Sequence, residues 1–295
     1  MNIKKWLDMN TKSLSGKTVA ITGSTGGIGN VLCDYIAALG ANLILIDRNS
    51  QKSAAFKSEL NKKYPKTEIT LIKADLESEE SVFEACDKLE KMPIDIFIHN
   101  AGAYSIPRHN CKNGFDNVYQ INFLSPYYMI NRLLNTLRKR DGARVIVVGS
   151  IAHNYSKSDA NNPDFKGVKA SSRAYGNAKR YLMFSLYELF KNEKDVALSV
   201  THPGITFTNI TAHYPKLIFA IIKNPMKIIF MKPKKAALSI LYGLFNSTEY
   251  HNWIGPRIFN VWGLPKKQKL KTCSIKESEQ IAKTANAALD KYFIN

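Results

Sequence analysis

The chain has 295 residues, 45% of them apolar, with 42 Lys+Arg against 24 Asp+Glu and a formal net charge of +18. That much apolar material excludes a disordered or collagen-like chain. Four scattered cysteines (Cys33, Cys86, Cys111, Cys273) exclude a disulfide-stapled miniprotein and suit a reducing, cytoplasmic compartment. After Lys4 and Lys5, the residues Asp8, Asn10 and Lys12 leave no apolar signal core. No stretch reaches the roughly 18–20 apolar residues that a membrane span needs. The nearest, Leu217 to Met231, is interrupted by Lys223, Asn224, Pro225 and Lys227. The protein is expected not to span a membrane, while peripheral contact with one stays open.

Short apolar runs alternate with helical patterns from the start. Thr18 to Thr22 reads as a buried strand and Ile28 to Leu39 as a helix closed by Gly40. Asn42 to Asp47 is a second strand, followed by a helix from Ser53 to Lys63 that stops at Pro65. Further strands are Glu68 to Lys73, Asp95 to His99, Arg144 to Val148 and Val196 to Thr201. Between them lie helices around Ser81 to Glu90, Val118 to Arg138 and Arg173 to Lys191, and Ala236 to Phe245 and Ile275 to Phe293 follow. The alternation predicts an α/β fold: one doubly wound domain over residues 1–295, with a central parallel sheet and helices on both faces.

Thr22-Gly-Ser-Thr-Gly-Gly-Ile-Gly29 lies between the first strand and the first helix. Glycines in such a turn let the backbone approach a pyrophosphate at a helix N-terminus. Gly23, Gly27 and Gly29 are the key positions, with Ser24, Thr25 and Ile28 beside them. Asp47 follows 20 residues after Gly27, where a carboxylate can accept both hydroxyls of an adenosine ribose. That favours NAD, although Arg48 could fork onto a 2′-phosphate and leaves NADP open.

Tyr175 and Lys179 are four residues apart, on one face of a helix. A free phenol titrates near 10, too high for acid–base work at neutral pH. A cation about 4 Å away is worth on the order of 4 kcal/mol at an effective dielectric near 20, roughly three pKa units. Such a pair is expected to bring Tyr175 towards neutrality.

Together these features resemble the short-chain dehydrogenase/reductase family. The motifs appear in family order: the glycine turn, Ala74-Asp75-Leu76, Asn100-Ala101-Gly102, Asn122 in a helix, Ser150 after the fifth strand, Tyr175 with Lys179, and Pro203-Gly204 after the sixth. The resemblance implies that Tyr175 exchanges a proton with the substrate oxygen while Ser150 holds it. It implies that Lys179 binds the nicotinamide ribose and that Asn122 anchors a relay water. By the same resemblance Asp75 and Leu76 flank the adenine, Asn100, Ala101 and Gly102 the adenosine side, and Pro203, Gly204, Thr206 and Thr208 the nicotinamide. His99 replaces a usual Asn and Ala178 a frequent Ser. The 25-residue gap from Ser150 to Tyr175, Ile151-Ala-His153 and His202-Pro-Gly204 resemble the retinol dehydrogenase and protochlorophyllide reductase branch.

Between Val196 and Lys276 the only acidic residue is Glu249, so the positive charge is concentrated there. Residues 205–235 are expected to form a substrate loop or lid, apolar and edged with lysines. Three roles are weighed for it: a lid over a lipophilic alcohol or carbonyl that rests on an anionic membrane, a grip on an acidic substrate handle, or plain packing against the core or a partner subunit. No nucleic-acid motif accompanies the charge. His99, His109, His153, His202, His213 and His251 show no metal-ligand spacing with the cysteines. The sequence therefore predicts a nicotinamide-dependent oxidoreductase, with homo-oligomerisation open. A non-catalytic, redox-sensing nucleotide module with a basic interaction surface is the alternative; it would not need Asn122, Ser150, Tyr175 and Lys179 together.

Overall fold

The computed structural model describes residues 2–206, 231–271 and 273–293. Thr208 and most of the predicted 205–235 loop lie outside the described residues. Before the first predicted strand, a helix the sequence pattern did not reveal, α1 (Ile3–Asn10), is anchored by its one buried side chain, Trp6, against Tyr242. Then come β1 (Thr18–Thr22), α2 (Gly27–Ala38), β2 (Asn42–Asp47), α3 (Ser50–Lys63), β3 (Ile69–Lys73), α4 (Glu79–Leu89) and β4 (Ile96–His99). Buried apolar side chains run through β1, β2 and β4 without alternation, as strands covered on both faces require. Ser78 caps α4 by accepting from the Ser81 amide, with Glu79 and Glu80 in the first turn.

The predicted helix from 118 to 138 is broken near its start. A single turn, α5 (Asn117–Tyr119), passes through a π-helical turn at Gln120–Leu124 into α6 (Ser125–Leu137). The Asn122 amide donates to the Val118 carbonyl four residues back, at 2.8 Å, so side chain and backbone compete for one acceptor. The chain continues with β5 (Arg144–Val148), a 3₁₀ turn at Ile151–Asn154, α7 (Ser171–Leu189), β6 (Ala197–Thr201) and α8 (Pro233–Gly243). A hairpin of β7 (Asn252–Ile258) and β8 (Trp262–Lys269) follows, then α9 (Ile275–Phe293).

The sheet order is β3-β2-β1-β4-β5-β6-β7-β8. All pairs are parallel except the last, so the expected doubly wound sheet gains an antiparallel edge strand. One core layer packs α1, α2, α3 and α8 against the sheet, and the other packs α4, α6, α7 and α9. The strand order reverses between β1 and β4, which opens a crevice beyond their carboxyl ends. No described helix is long and apolar enough to cross a membrane.

Candidate active site

The glycine turn leaves β1 and enters α2 with Gly26 as an N-cap that has no side chain to offer. The first intrahelical donor here is the Asn30 amide, bonded to Gly26 O, so the amides of Gly27 to Gly29 are available to an anion. A Cβ at Gly29 would lie 2.1 Å from Gly23 O and 2.9 Å from Asn100 Nδ2. Only glycine fits there. Asn100 ties the two sides of the crevice by donating to Thr22 O and Gly23 O, while its own amide and that of Ala101 donate to Thr22 Oγ1. Thr22 Oγ1 thus accepts twice, and its proton goes to His99 Nδ1 at 3.0 Å.

A cleft of about 440 Å³ opens at this point. Gly23, Thr25, Gly27, Ile28, Gly29, Asp47, Arg48, Asp75, Leu76 and Asn100 to Gly102 line it. Ser24 does not: it is fully buried, and its hydroxyl donates to the Asp47 carboxylate. Asp47 also accepts from Ser53 Oγ at 3.0 Å and from the Thr25 amide and hydroxyl at 3.2 Å. The carboxylate expected to be free for a ribose is therefore already clamping the turn. Exposed Lys52, a second cation supplied by α3, joins Arg48 on the rim.

The remaining predicted residues gather behind the far end of this cleft. Asn122 is fully buried; its Oδ1 accepts from the Ala103 amide at 3.1 Å and its Nδ2 donates to Ala103 O at 2.9 Å. A Cβ at Gly102 would meet Asn122 Oδ1 at 2.9 Å and Lys179 Nζ at 3.5 Å, so the cleft lining touches both. Tyr104, also in the lining, meets the Tyr175 ring edge-on at 5.2 Å. No sequence signal points to Tyr104, because its role depends on where the loop after β4 lands. Ser150 follows β5 and caps the 3₁₀ turn, accepting from the Ala152 amide at 3.2 Å, and hydrogen-bonds the Tyr175 phenol. Gly204 and Thr206 follow β6, but neither lines the cleft.

The electrostatics reverse one expectation. Tyr175 is not drawn towards neutrality; desolvation pushes the phenol up to about 12, against an opposing pull from the Ser150 hydrogen bond. Lys179 sits 5.7 Å from the centre of the Tyr175 ring and donates to Val148 O at 2.9 Å. Its own burial pulls the ammonium down to about 7. Coulomb attraction at an assumed 4 Å failed as a guide because the two groups share one dry pocket, and desolvation acts on each.

The segment between Ser150 and Tyr175 is held from three sides. Arg108 pairs with Asp116 at 2.8 Å and donates to the carbonyls of Phe165 and Val168. Asn177 donates to Pro163 O at 2.6 Å. Glu277 on α9 accepts from Ser158 and pairs with Arg180 through two bonds of 2.8 and 2.9 Å. A larger cavity, about 1010 Å³, opens near the amino ends of β5 and β6 beside the Arg138–Glu193 ion pair. None of the predicted site residues lines it, so its size says nothing about the chemistry above.

The short chain dehydrogenase family model matches residues 17–216. The chain belongs to that family. It is therefore an NAD(P)-dependent oxidoreductase acting on CH–OH groups or the corresponding carbonyls. Human polyprenol dehydrogenase is 25% identical over 240 residues, covering 77% of this chain and 72% of that protein. Human retinol dehydrogenase 14 is 26% identical over 250 residues, covering 78% and 74%. Such relatives support the retinol dehydrogenase-like branch of the family. An uncharacterized protein from Mycobacterium paratuberculosis shares the fold, with a TM-score of 0.68 at 22% identity over 96% of this chain and 94% of its own.

Proposed function

We propose that this family member interconverts a lipophilic alcohol and its carbonyl, with Tyr175 as general acid and base. The observation that carries this is Gly102: it closes the nucleotide cleft on one side and touches Asn122 and Lys179 on the other. The cleft suits a nicotinamide dinucleotide, because the uncapped first turn of α2 and the side-chain-free approach at Gly29 match a pyrophosphate. When bound, that group accepts or supplies the hydride. Everything else falls to the chain. Gly23 to Gly29 hold phosphate, Asp75 and Leu76 flank the adenine, and Lys179 orients the nicotinamide ribose. Ser150 positions the substrate oxygen, and Tyr175 holds or releases the proton on it. Asn122, locked by its Val118 and Ala103 bonds, fixes the relay geometry behind Lys179.

Polyprenol dehydrogenase and the retinol dehydrogenases are named for lipophilic alcohols. With the lysine-edged apolar stretch after residue 205, they support a substrate of that class, met at an anionic membrane surface. Asp47 on the cleft wall is the ground for NAD, although Ser24, Thr25 and Ser53 already hold its carboxylate; Arg48 with Lys52 on the rim carries the second reading, NADP. The whole of 1–295 is taken as one oxidoreductase unit. Calorimetric titration with NADH and with NADPH tests the site, and a screen of long-chain alcohols and aldehydes with the tighter cofactor tests the substrate class. Binding of neither nucleotide would sink the proposal.

A further inference from the structure

The β7–β8 hairpin ends in an apolar tip. Phe259 is 85% exposed, Ile258 44% and Trp262 39%, and Ile258 and Trp262 lie directly opposite each other across the strands. The turn is built rather than frayed. Phe259 and Asn260 hold left-handed conformations at φ 50° and 57°, the Val261 amide donates to Ile258 O at 2.9 Å, and Asn260 Oδ1 accepts from Gln268 at 2.9 Å. A phenylalanine in a strained conformation and in water costs free energy twice.

Cations lie behind this tip. Arg257, Lys266, Lys267 and Lys269 on the hairpin are exposed, as are Lys232, Lys234 and Lys235 where α8 begins. From Tyr250 to Lys276 there is no acidic residue. Lys266 lies four residues, about 14 Å, back along the strand from Trp262. A tip sunk about 5–10 Å into the headgroup boundary would leave that lysine within a Debye length of the lipid charge. Apolar and aromatic groups at the end with cations behind them are complementary to an anionic bilayer surface.

The hairpin is also fixed to the site. β7 runs parallel to β6, so its tip projects from the edge of the sheet where the cleft opens. The His202 amide donates to Ile254 O at 2.7 Å, and the His202 ring stacks on Trp253 at 5.0 Å. The Val261 carbonyl packs over Gly204.

We propose that this turn is a membrane-docking element that inserts Phe259, Ile258 and Trp262 into an anionic lipid surface and brings the mouth of the site against it. The inference rests on the proposed contact with an anionic surface, but assigns it to a different element from the substrate loop. A lipophilic substrate could then enter from the bilayer without crossing water.

Tryptophan fluorescence reads this directly, because Trp6 and Trp253 are each 2% exposed and only Trp262 can change its surroundings. The full chain is titrated with vesicles of phosphatidylcholine alone and of phosphatidylcholine with phosphatidylserine. The expected result is a blue shift and flotation with the anionic vesicles, weakened by salt. Phe259→Ser should lower the partition coefficient about tenfold, and Lys266→Gln or Lys267→Gln about fivefold each. Unchanged emission, or Phe259→Ser floating like the wild type, overturns the proposal. So does a sedimentation shift from dimer to monomer in Phe259→Ser without vesicle binding, which would assign the tip to a second copy of the chain. Nucleotide titration of each variant keeps the two readings apart. If no nucleotide binds yet vesicle binding needs Phe259, the oxidoreductase site fails and the docking element stands; the converse result removes only the docking element.

Discussion

The Lys179 ammonium donates to the Val148 carbonyl at 2.9 Å while lying 5.7 Å from the centre of the Tyr175 ring. The phenol is pushed up to about 12, so at neutral pH Tyr175 is a proton donor waiting for a carbonyl oxygen. Reduction uses the protonated form, so the phenol itself imposes no pH dependence on it from pH 6 to 9. Oxidation needs the phenolate, whose population rises about tenfold per pH unit below its pKa. Log kcat/KM for alcohol oxidation should therefore climb with pH with a slope near one. A plateau already reached at neutral pH would mean that the phenol titrates far lower than its burial implies.

Tyr175→Phe removes that proton and nothing else of similar size. Turnover should fall by about 10²–10⁴ in both directions, with calorimetric affinity for the nucleotide unchanged. Full activity in this variant would require another acid, and no other side chain has been assigned that part.

Burial makes Lys179 expensive. Its proton is held only below about pH 7 in the fold, against an ordinary value of 10.5. Between those values the unfolded chain binds the extra proton, so stability rises with pH across that window and is lowest at and below neutrality. The shift corresponds to an upper bound of about 5 kcal/mol. Lys179→Met should therefore be inactive yet more stable at pH 7, by about 1–3 kcal/mol once the orphaned Val148 carbonyl is charged against it. Loss of stability in this variant would show that the ammonium is better solvated than its 1% exposure suggests.

Gly29→Ala offers a test of the turn separate from the chemistry. The added methyl would lie 2.1 Å from a backbone oxygen, which no rotamer change relieves. Nucleotide binding should drop by at least about a hundredfold, at a stability cost of about 1–3 kcal/mol from backbone displacement. Near-normal binding would mean that the turn is not where the phosphates sit.

Much of the fold is legible in the amino-acid sequence. Six parallel strands and the helices between them are marked by their period, and the glycine spacing marks the turn that enters α2. The β7–β8 hairpin is not, because Gly255, Pro256, Gly263 and Pro265 break the strand pattern that long-range pairing then imposes. The π turn at Asn122 was invisible as well, since side-chain competition for the Val118 carbonyl leaves helical periodicity intact. Arg108 could not be assigned from sequence because its partners lie 8 and about 60 residues away. The Tyr175–Lys179 spacing placed both groups correctly on one helix, but spacing carries no information about desolvation, and desolvation set the sign.

Acid sensitivity follows from two histidines that the fold keeps neutral. His202 is 3% exposed and stacked on Trp253, and burial pulls it down to about 4. His99 is fully buried with Nδ1 accepting from Thr22, and burial with the nearby Lys179 charge pulls it well below 6.5. In the unfolded chain both take a proton near 6.5, so the unfolded state binds more protons as pH falls below that value. Their contribution is fully present above pH 6.5 and is lost progressively towards pH 4, with His202 alone accounting for about 3 kcal/mol. Thermal melts should therefore fall between pH 7 and pH 5, and His202→Phe should flatten that slope by keeping the ring stacked without a titrating nitrogen. An identical pH slope in wild type and variant would remove His202 from the account.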